Sequence, residues 1–299
     1  MEPDIKLRSL SEAAALINDG SRIHFGGMAV HNHPMAFVRE LLRHQTGNLS
    51  VVSHVSANDV DMLIGAGRVR RLEFSYVGLE EFGTAPCFRR AVQSGRLELS
   101  EYSEPVAFER FACSARGMPF FTNREMVGTD LPKANPDILE VSDPFGSGTY
   151  HAIAAAEPDW VVIHAPIADK YGNVLFFPHR QLPEDLDLTA SRTTKNLIVT
   201  VEQIVPHERI RQLPYLNLIP RFRTTAVVEV PYGAHPCSCL HVYDQDREHL
   251  EHYAKEGRDK ESFERYLETF VYGVKEHGDY LDLIGAARLA RLRQVGGAL

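Results

Sequence analysis

The chain has 299 residues, enough to build a substantial core in one large domain. Hydrophobic content of 44% against 24% charged residues excludes a disordered or fibrous chain, and a formal net charge of −8 with both signs interspersed argues against a nucleic-acid surface. No apolar run approaches the ~18 residues of a membrane span and "MEPDIKLRSL" lacks the apolar stretch of a secretory signal, so a cytoplasmic protein that binds no membrane is expected.

The first helix is announced by Ser9 as cap, Glu12 three residues later to complete a capping box, and the apolar "AAALI"; Gly20 stops it. "SRIHF" reads as a strand broken by Gly26 and Gly27, and "PMAFVRELLRH" as a helix with Pro34 in its first turn. The alternation continues through strand "LSVVSH", helix "DVDMLIGAG", strand "VRRLEFSYVG" and helix "PCFRRAVQSG". Phe37, Val38, Leu41, Met62 and Leu63 fall at helical spacing and are expected in the core. "SEPVAFERF" opens another helix, with Ser103 as cap and Glu104 in the acidic first turn, while Glu101 faces solvent. "DWVVIHA", "NLIVTVEQIV" and "TTAVVEVPYG" are continuous apolar strands, expected to be buried on both faces of a mostly parallel sheet. The Pro- and Gly-rich stretches 131–149 and 206–220 read as large surface loops. From residue 245 three amphipathic helices follow, "DREHLEHYAKEG", "KESFERYLETFVYGVKEHG" and "DYLDLIGAARLARLRQV", expected to pack back on the sheet as a cap. With no repeat and no linker, residues 1–299 are expected to form a single domain: an α/β core over about 1–235 and a helical region over about 245–295.

Two chemistries compete in "HFGGMAVHNHP", residues 24–34. His31 and His33 form an HxH pair, but a zinc site needs three or four converging ligands, and the candidates His54, His164 and His179 have no second ligand at matching spacing. Pro34 marks a helix start directly after His33, so loop or solvent-facing imidazoles and no metal are expected. The second chemistry is a backbone one. Gly26 and Gly27 allow a sharp turn that leaves N–H donors free at the mouth of a helix, able to hold a phosphate or an oxyanion. The spacing is neither a GxGxxG fingerprint nor a P-loop. Cys87, Cys113, Cys237 and Cys239 contain no CxxC and are expected to be reduced thiols; His235 with Cys237 and Cys239 puts three soft ligands in five residues, too tight to close on one ion.

"DGSRIHFGGMAVHNHP", residues 19–34, resembles the signature of family I CoA-transferases: Asp19, Gly20, Ile23, Phe25, Gly26, Gly27 and Pro34 match at the right spacing. His24 stands for an apolar residue, Met28 for Phe and Asn32 for Gly, the last a mild change because Asn tolerates positive φ. "DMLIGAGRVRRLEFSYVG", "LELSEYSEPVAFERFACSARGMPFF", "VVEVPYGAHPCSCLHVYDQD" and "EHGDYLDLIGAARLARLR" are similar, in the same order, to segments of the α subunits of glutaconate-type CoA-transferases. The resemblance implies an open, mostly parallel α/β fold of the CoA-transferase type with helices on both faces, paired with a β subunit in a heterodimer or heterotetramer. It implies a CoA thioester and a carboxylic acid as substrates, no permanently bound cofactor, and a nucleophilic glutamate on the β subunit, where it would hold CoA as a glutamyl thioester. The α chain would then supply the loop Gly26, Gly27 and Met28 for CoA binding and the oxyanion, together with walls of the acyl pocket. A related group, paired CoA-thioester hydrolases that open steroid rings, carries glutamate at the position of Glu104, where it would act as a base. That leaves hydrolysis open beside transfer. A non-catalytic sensor of an acyl-CoA or sugar phosphate is a third reading, since such proteins share the architecture.

Overall fold

The computed structural model describes residues 4–146 and 148–293. Seven strands lie parallel: β1 (Arg22–Phe25), β2 (Leu49–Val52), β3 (Val69–Phe74), β4 (Glu98–Glu101), β5 (Trp160–Ala168), β6 (Leu197–Ile204) and β7 (Thr224–Glu229). Their spatial order is β4-β3-β2-β1-β5-β6-β7. Two short antiparallel strands, Val174–Leu175 and Asn217–Ile219, continue the sheet beside the far end of β5. Successive residues of β5 enter different cores: Val162 packs with Phe25, Leu41 and Leu63, whereas Val161 and Ile163 pack with Phe111 and Leu188. This period of two, apolar on both sides, is why the strands read as unbroken Val/Ile runs.

Helices cover both faces: α1 (Leu10–Ala14), α2 (Met35–Arg43), α3 (Asn58–Gly65), α4 (Pro86–Gln93), α5 (Glu104–Ala115) and α6 (Leu182–Ala190). The capping box forms as expected, with Ser9 N–H donating to Glu12 Oε2 at 2.8 Å and Glu12 N–H to Ser9 Oγ at 3.2 Å. Ser103 does not cap α5 in this way: it has the extended backbone of an N-cap, but its buried hydroxyl makes no hydrogen bond. Phe37, Val38, Leu41, Met62 and Leu63 are fully buried.

The two stretches expected as loops are structured instead. Within 131–149 a helical turn, Leu131–Ala134, leads to the strand Ile138–Ser142, which joins Thr149–Ala154 and Phe120–Asn123 in a separate antiparallel sheet; Ser147 lies outside the described residues. Residues 206–220 hold the helix His207–Gln212, a 3-10 turn and the strand Asn217–Ile219. Pro and Gly stand at the ends and turns of these elements, and half-exposed strands such as "ILEVS" show no continuous apolar run.

The C-terminal cap comprises α7 (Arg247–Glu256), α8 (Lys260–Leu267), which widens into a π-turn at Glu268–Tyr272, α9 (His277–Ile284) and α10 (Ala286–Leu292). The third expected helix is thus two, divided at Gly285, whose φ of +89° no helix accommodates; its last positions, 294 and 295, lie outside the described residues, as do residues 1–3. The cap packs on α2 and α3: Phe263 fills the space beside Gly65, Tyr253 O–H donates to Asp61 Oδ2 at 2.7 Å, and the buried Arg39 guanidinium lies 3.7 Å from the Tyr280 ring centroid.

Candidate active site

After β1 the chain crosses to β2 on one side, and much later it enters β5 on the other side of β1 and continues outward to β6 and β7. Adjacent strands whose connections run in opposite directions open a crevice outside their carboxyl ends, the usual ligand site of open α/β sheets. The Gly26–Gly27 turn leaves β1 at that crevice.

Gly26 N–H donates to Val162 O at 2.7 Å, extending the β1–β5 ladder by one residue. A Cβ on Gly26 would stand 2.4 Å from Asp187 Oδ1 and 2.8 Å from Ile163 Cγ2, so Asp187 of α6 occupies the room a side chain would need. Gly27, at φ +89°, turns the chain, and its N–H donates to Asp187 Oδ1 at 2.8 Å. Met28 and His31 exchange backbone hydrogen bonds at 3.0 Å, closing a tight turn over Ala29 and Val30. Asn32 takes the expected positive φ, +58°, and clamps the loop to residues 238–240: its N–H donates to Ser238 O at 2.7 Å, and its Oδ1 accepts from Leu240 N–H at 2.9 Å. The expectation of free donors at Gly26, Gly27 and Met28 therefore fails in this structure, because all three N–H groups have internal partners. The donors of this turn without a partner among the described residues are Ala29 and Val30, at its tip.

His33 stands in the loop, one of the two expected placements, but is fully buried: Nε2 lies 2.6 Å from Ala29 O, and Nδ1 forms an ion pair with Asp59 Oδ2 at 3.0 Å. Burial opposes the imidazolium, but the Asp59 carboxylate and the Ala29 carbonyl outweigh it and hold His33 above its ordinary value. Burial likewise pushes Asp59 up, and His33 with the N–H groups of Val60 and Ala57 brings it below the usual carboxylate range. Asp187 is pushed up to about 8, by burial first, against the pull of Gly27 N–H and His33. A buried carboxyl beneath a glycine turn, pushed above the usual carboxylate range, is the chief feature that sequence reasoning misses. Its only signal is an acid among apolar neighbours in "DLDL", and nothing local separates Asp187, buried, from Asp185, exposed. Asp59→Asn should drop the His33 pKa below its ordinary 6.5, read from the imidazole shifts in an NMR titration; an unchanged midpoint would dismiss the pair.

The remaining histidines do not converge. His31 is half-buried, with Nδ1 2.7 Å from Ser238 Oγ; His179 is exposed; His54 packs against His24, Phe108 and Phe111. Burial pushes His24 down to about 4. His164, Glu202 and Cys239 bring ligand atoms within 4.8 Å of one another, but Glu202 is already a staple between β6 and the loop after β7. Its oxygens accept from Tyr232 N–H at 2.8 Å, Gly233 N–H at 3.1 Å and Tyr243 O–H at 3.0 Å, with His164 Nε2 at 2.7 Å. His235 sits between Tyr280 Oη and Asp246 Oδ2, and Cys237 Sγ lies 3.2 Å from Asn58 Oδ1. The segment 232–239 is thus braced from both sides, and all four cysteines are buried and unpaired.

Glu104 is exposed in the first turn of α5, one turn before Phe108, and makes no side-chain hydrogen bond or ion pair among the described residues, with the glycine loop or elsewhere. α5 packs on α6, the helix that carries Asp187.

Residues 7–230 match the family described as Coenzyme A transferase. The A subunit of glutaconate CoA-transferase from Acidaminococcus fermentans is 31% identical over 310 residues, covering 98% of this chain and 96% of that protein, and the crystal structure of that enzyme superposes with a TM-score of 0.91 over the same shares. An uncharacterized protein of Archaeoglobus fulgidus is 36% identical over 97% of this chain, which spans 65% of that relative's length. The cholesterol ring-cleaving hydrolase IpdA subunit of Mycobacterium tuberculosis is 28% identical over 91% of this chain and 95% of its own.

Proposed function

The chain belongs to the coenzyme A transferase family, and from that premise we propose that it is the α subunit of a heteromeric CoA-transferase moving CoA from an acyl-CoA thioester to a carboxylic acid. The observation that carries this reading is the end-to-end correspondence with the glutaconate CoA-transferase chain, 98% of one on 96% of the other. The nucleophilic glutamate belongs to the β subunit. Its carboxylate oxygen attacks the thioester carbonyl and expels CoA thiolate; the thiolate then attacks the resulting anhydride at the glutamyl carbon, releasing the first acid and leaving glutamyl-CoA. The acceptor acid reverses the two steps. Each step passes through a tetrahedral oxyanion that fixed donors must meet. On this chain the Gly26–Met28 segment is the rigid base of that device, and the N–H groups of Ala29 and Val30, which have no acceptor among the described residues, are the ones turned to the substrate.

Alone the chain is expected to show negligible transfer. Assembled with its partner it should follow ping-pong kinetics, and hydroxylamine should trap an activated glutamate on the partner chain. Robust thioester cleavage by a complex whose partner lacks that glutamate would overturn the proposal. Glu104→Gln separates the hydrolase reading, to which the IpdA relative gives some weight. Transfer should survive the change with assembly intact; abolished turnover in an intact complex would make Glu104 the base of a hydrolase.

A further inference from the structure

Helix α4 turns Arg89 and Arg90 toward Arg258, just beyond the end of α7, around a cavity of about 440 Å³. Phe82, Pro86 and Ala254 give it an apolar wall, and no carboxylate lines it among the described residues. Arg89 and Arg258 are exposed and make no side-chain hydrogen bond or ion pair among the described residues. Arg90 is anchored through Nη2 to Cys87 Sγ at 3.3 Å, and its Nη1 is buried with no partner. The same side chain lines a second cavity of about 320 Å³, with Arg96 and Lys260 and again no acid.

In a chain of net charge −8, arginines that line a concavity with no carboxylate on its wall among the described residues repel one another. An anion relieves that repulsion. Guanidinium forks match phosphate oxygens two by two, and the cavity volume falls within the range of small-ligand sites. We propose that this cavity binds the phosphate groups of a nucleotide, with Arg90 on its wall and Arg89 and Arg258 as the outer clamp.

The test is calorimetric titration of the full-length chain with adenosine 3′,5′-bisphosphate and with inorganic pyrophosphate, adenosine serving as control. The phosphorylated probes should bind with an affinity that falls as salt rises, and adenosine should not bind. Arg90→Ala removes a packed side chain and could unfold α4, so the surface pair Arg89→Glu/Arg258→Glu carries the test. With its melting temperature retained, the pair should bind the bisphosphate at least about tenfold more weakly. No binding by the wild-type chain at millimolar probe, or unchanged binding by the pair, would overturn the proposal. Two sources of the phosphate are separated in the assembled enzyme: a KM for the CoA thioester raised by the pair assigns the site to the nucleotide end of the substrate, and an unchanged KM with bisphosphate binding intact in the wild type assigns it to a separate nucleotide. Binding is read without turnover, so its failure is distinct from failure of the transferase reading.

Discussion

Gly27→Ala is expected to destabilise the chain by about 3–5 kcal/mol, measured as a lowered midpoint in urea with the slope unchanged. Two effects add at this position. The backbone stands at φ +89°, where an L side chain is strained whatever surrounds it, and the new Cβ would meet His31 O at 2.5 Å and His33 N at 2.7 Å. Both obstacles are backbone, which cannot rotate away. Gly26→Ala provides the contrast: its φ is ordinary, and the obstacle is a side chain, Asp187, with Ile163 behind it. Its cost should be smaller, about 1–3 kcal/mol, and should shrink further when Asp187 is replaced by Ala, a coupling that a double-mutant cycle reads directly. A Gly27→Ala variant within about 1 kcal/mol of wild type would mean that the turn is free to rearrange.

Asp187→Asn is expected to flatten the dependence of stability on pH. The Asp187 carboxyl, pushed up to about 8 in the folded chain from an ordinary 3.8, keeps its proton across a range in which the unfolded chain has lost it. The folded state then binds more protons than the unfolded one, so stability falls as pH rises from about 4 to about 8, by up to roughly 1.4 kcal/mol per unit. His33 acts in the same direction: its raised pKa contributes stability below its ordinary value of 6.5 that is lost as pH rises through the higher folded value. The comparison must therefore be made between variant and wild type, not on the wild type alone. Asn keeps an oxygen for Gly27 N–H and cannot ionise. The difference in stability should be smallest near pH 4 and grow in favour of Asn up to about pH 8, reaching a few kcal/mol. Parallel profiles from urea titrations across this range would show that Asp187 is ionised in the folded chain.

Six of the seven parallel strands and most of the helices between them were legible because their signals are local; β4, with Leu99 as its one apolar residue, and α6 were not read. Val161, Val162 and Ile163 are apolar in succession and Ser9 and Glu12 are three residues apart; Gly20, expected to stop the first helix, lies beyond its end at Ala14. The antiparallel sheet was not legible: Leu139 and Val141 alternate with acidic and polar residues on strands open to solvent, and the prolines and glycines of the surrounding stretch outweighed them. At the site, the turn at Gly26 and Gly27 and the positive φ of Asn32 were readable from residue type alone. Where the N–H groups point was not.

By itself the sequence determined the βα rhythm, the glycine turn after the first strand and the likeness to the CoA-transferase α subunits, all carried by neighbouring residues or fixed short spacings. Tertiary structure alone decided that the N–H groups of Gly26, Gly27 and Met28 are taken up internally while those of Ala29 and Val30 are left without an acceptor among the described residues. Asp187 reaches Gly27 across 160 positions of chain, and Asp59 reaches His33 from a different helix, buried with it. The charge state of such groups follows from how much water the fold removes around them, a quantity that no local pattern of residues contains.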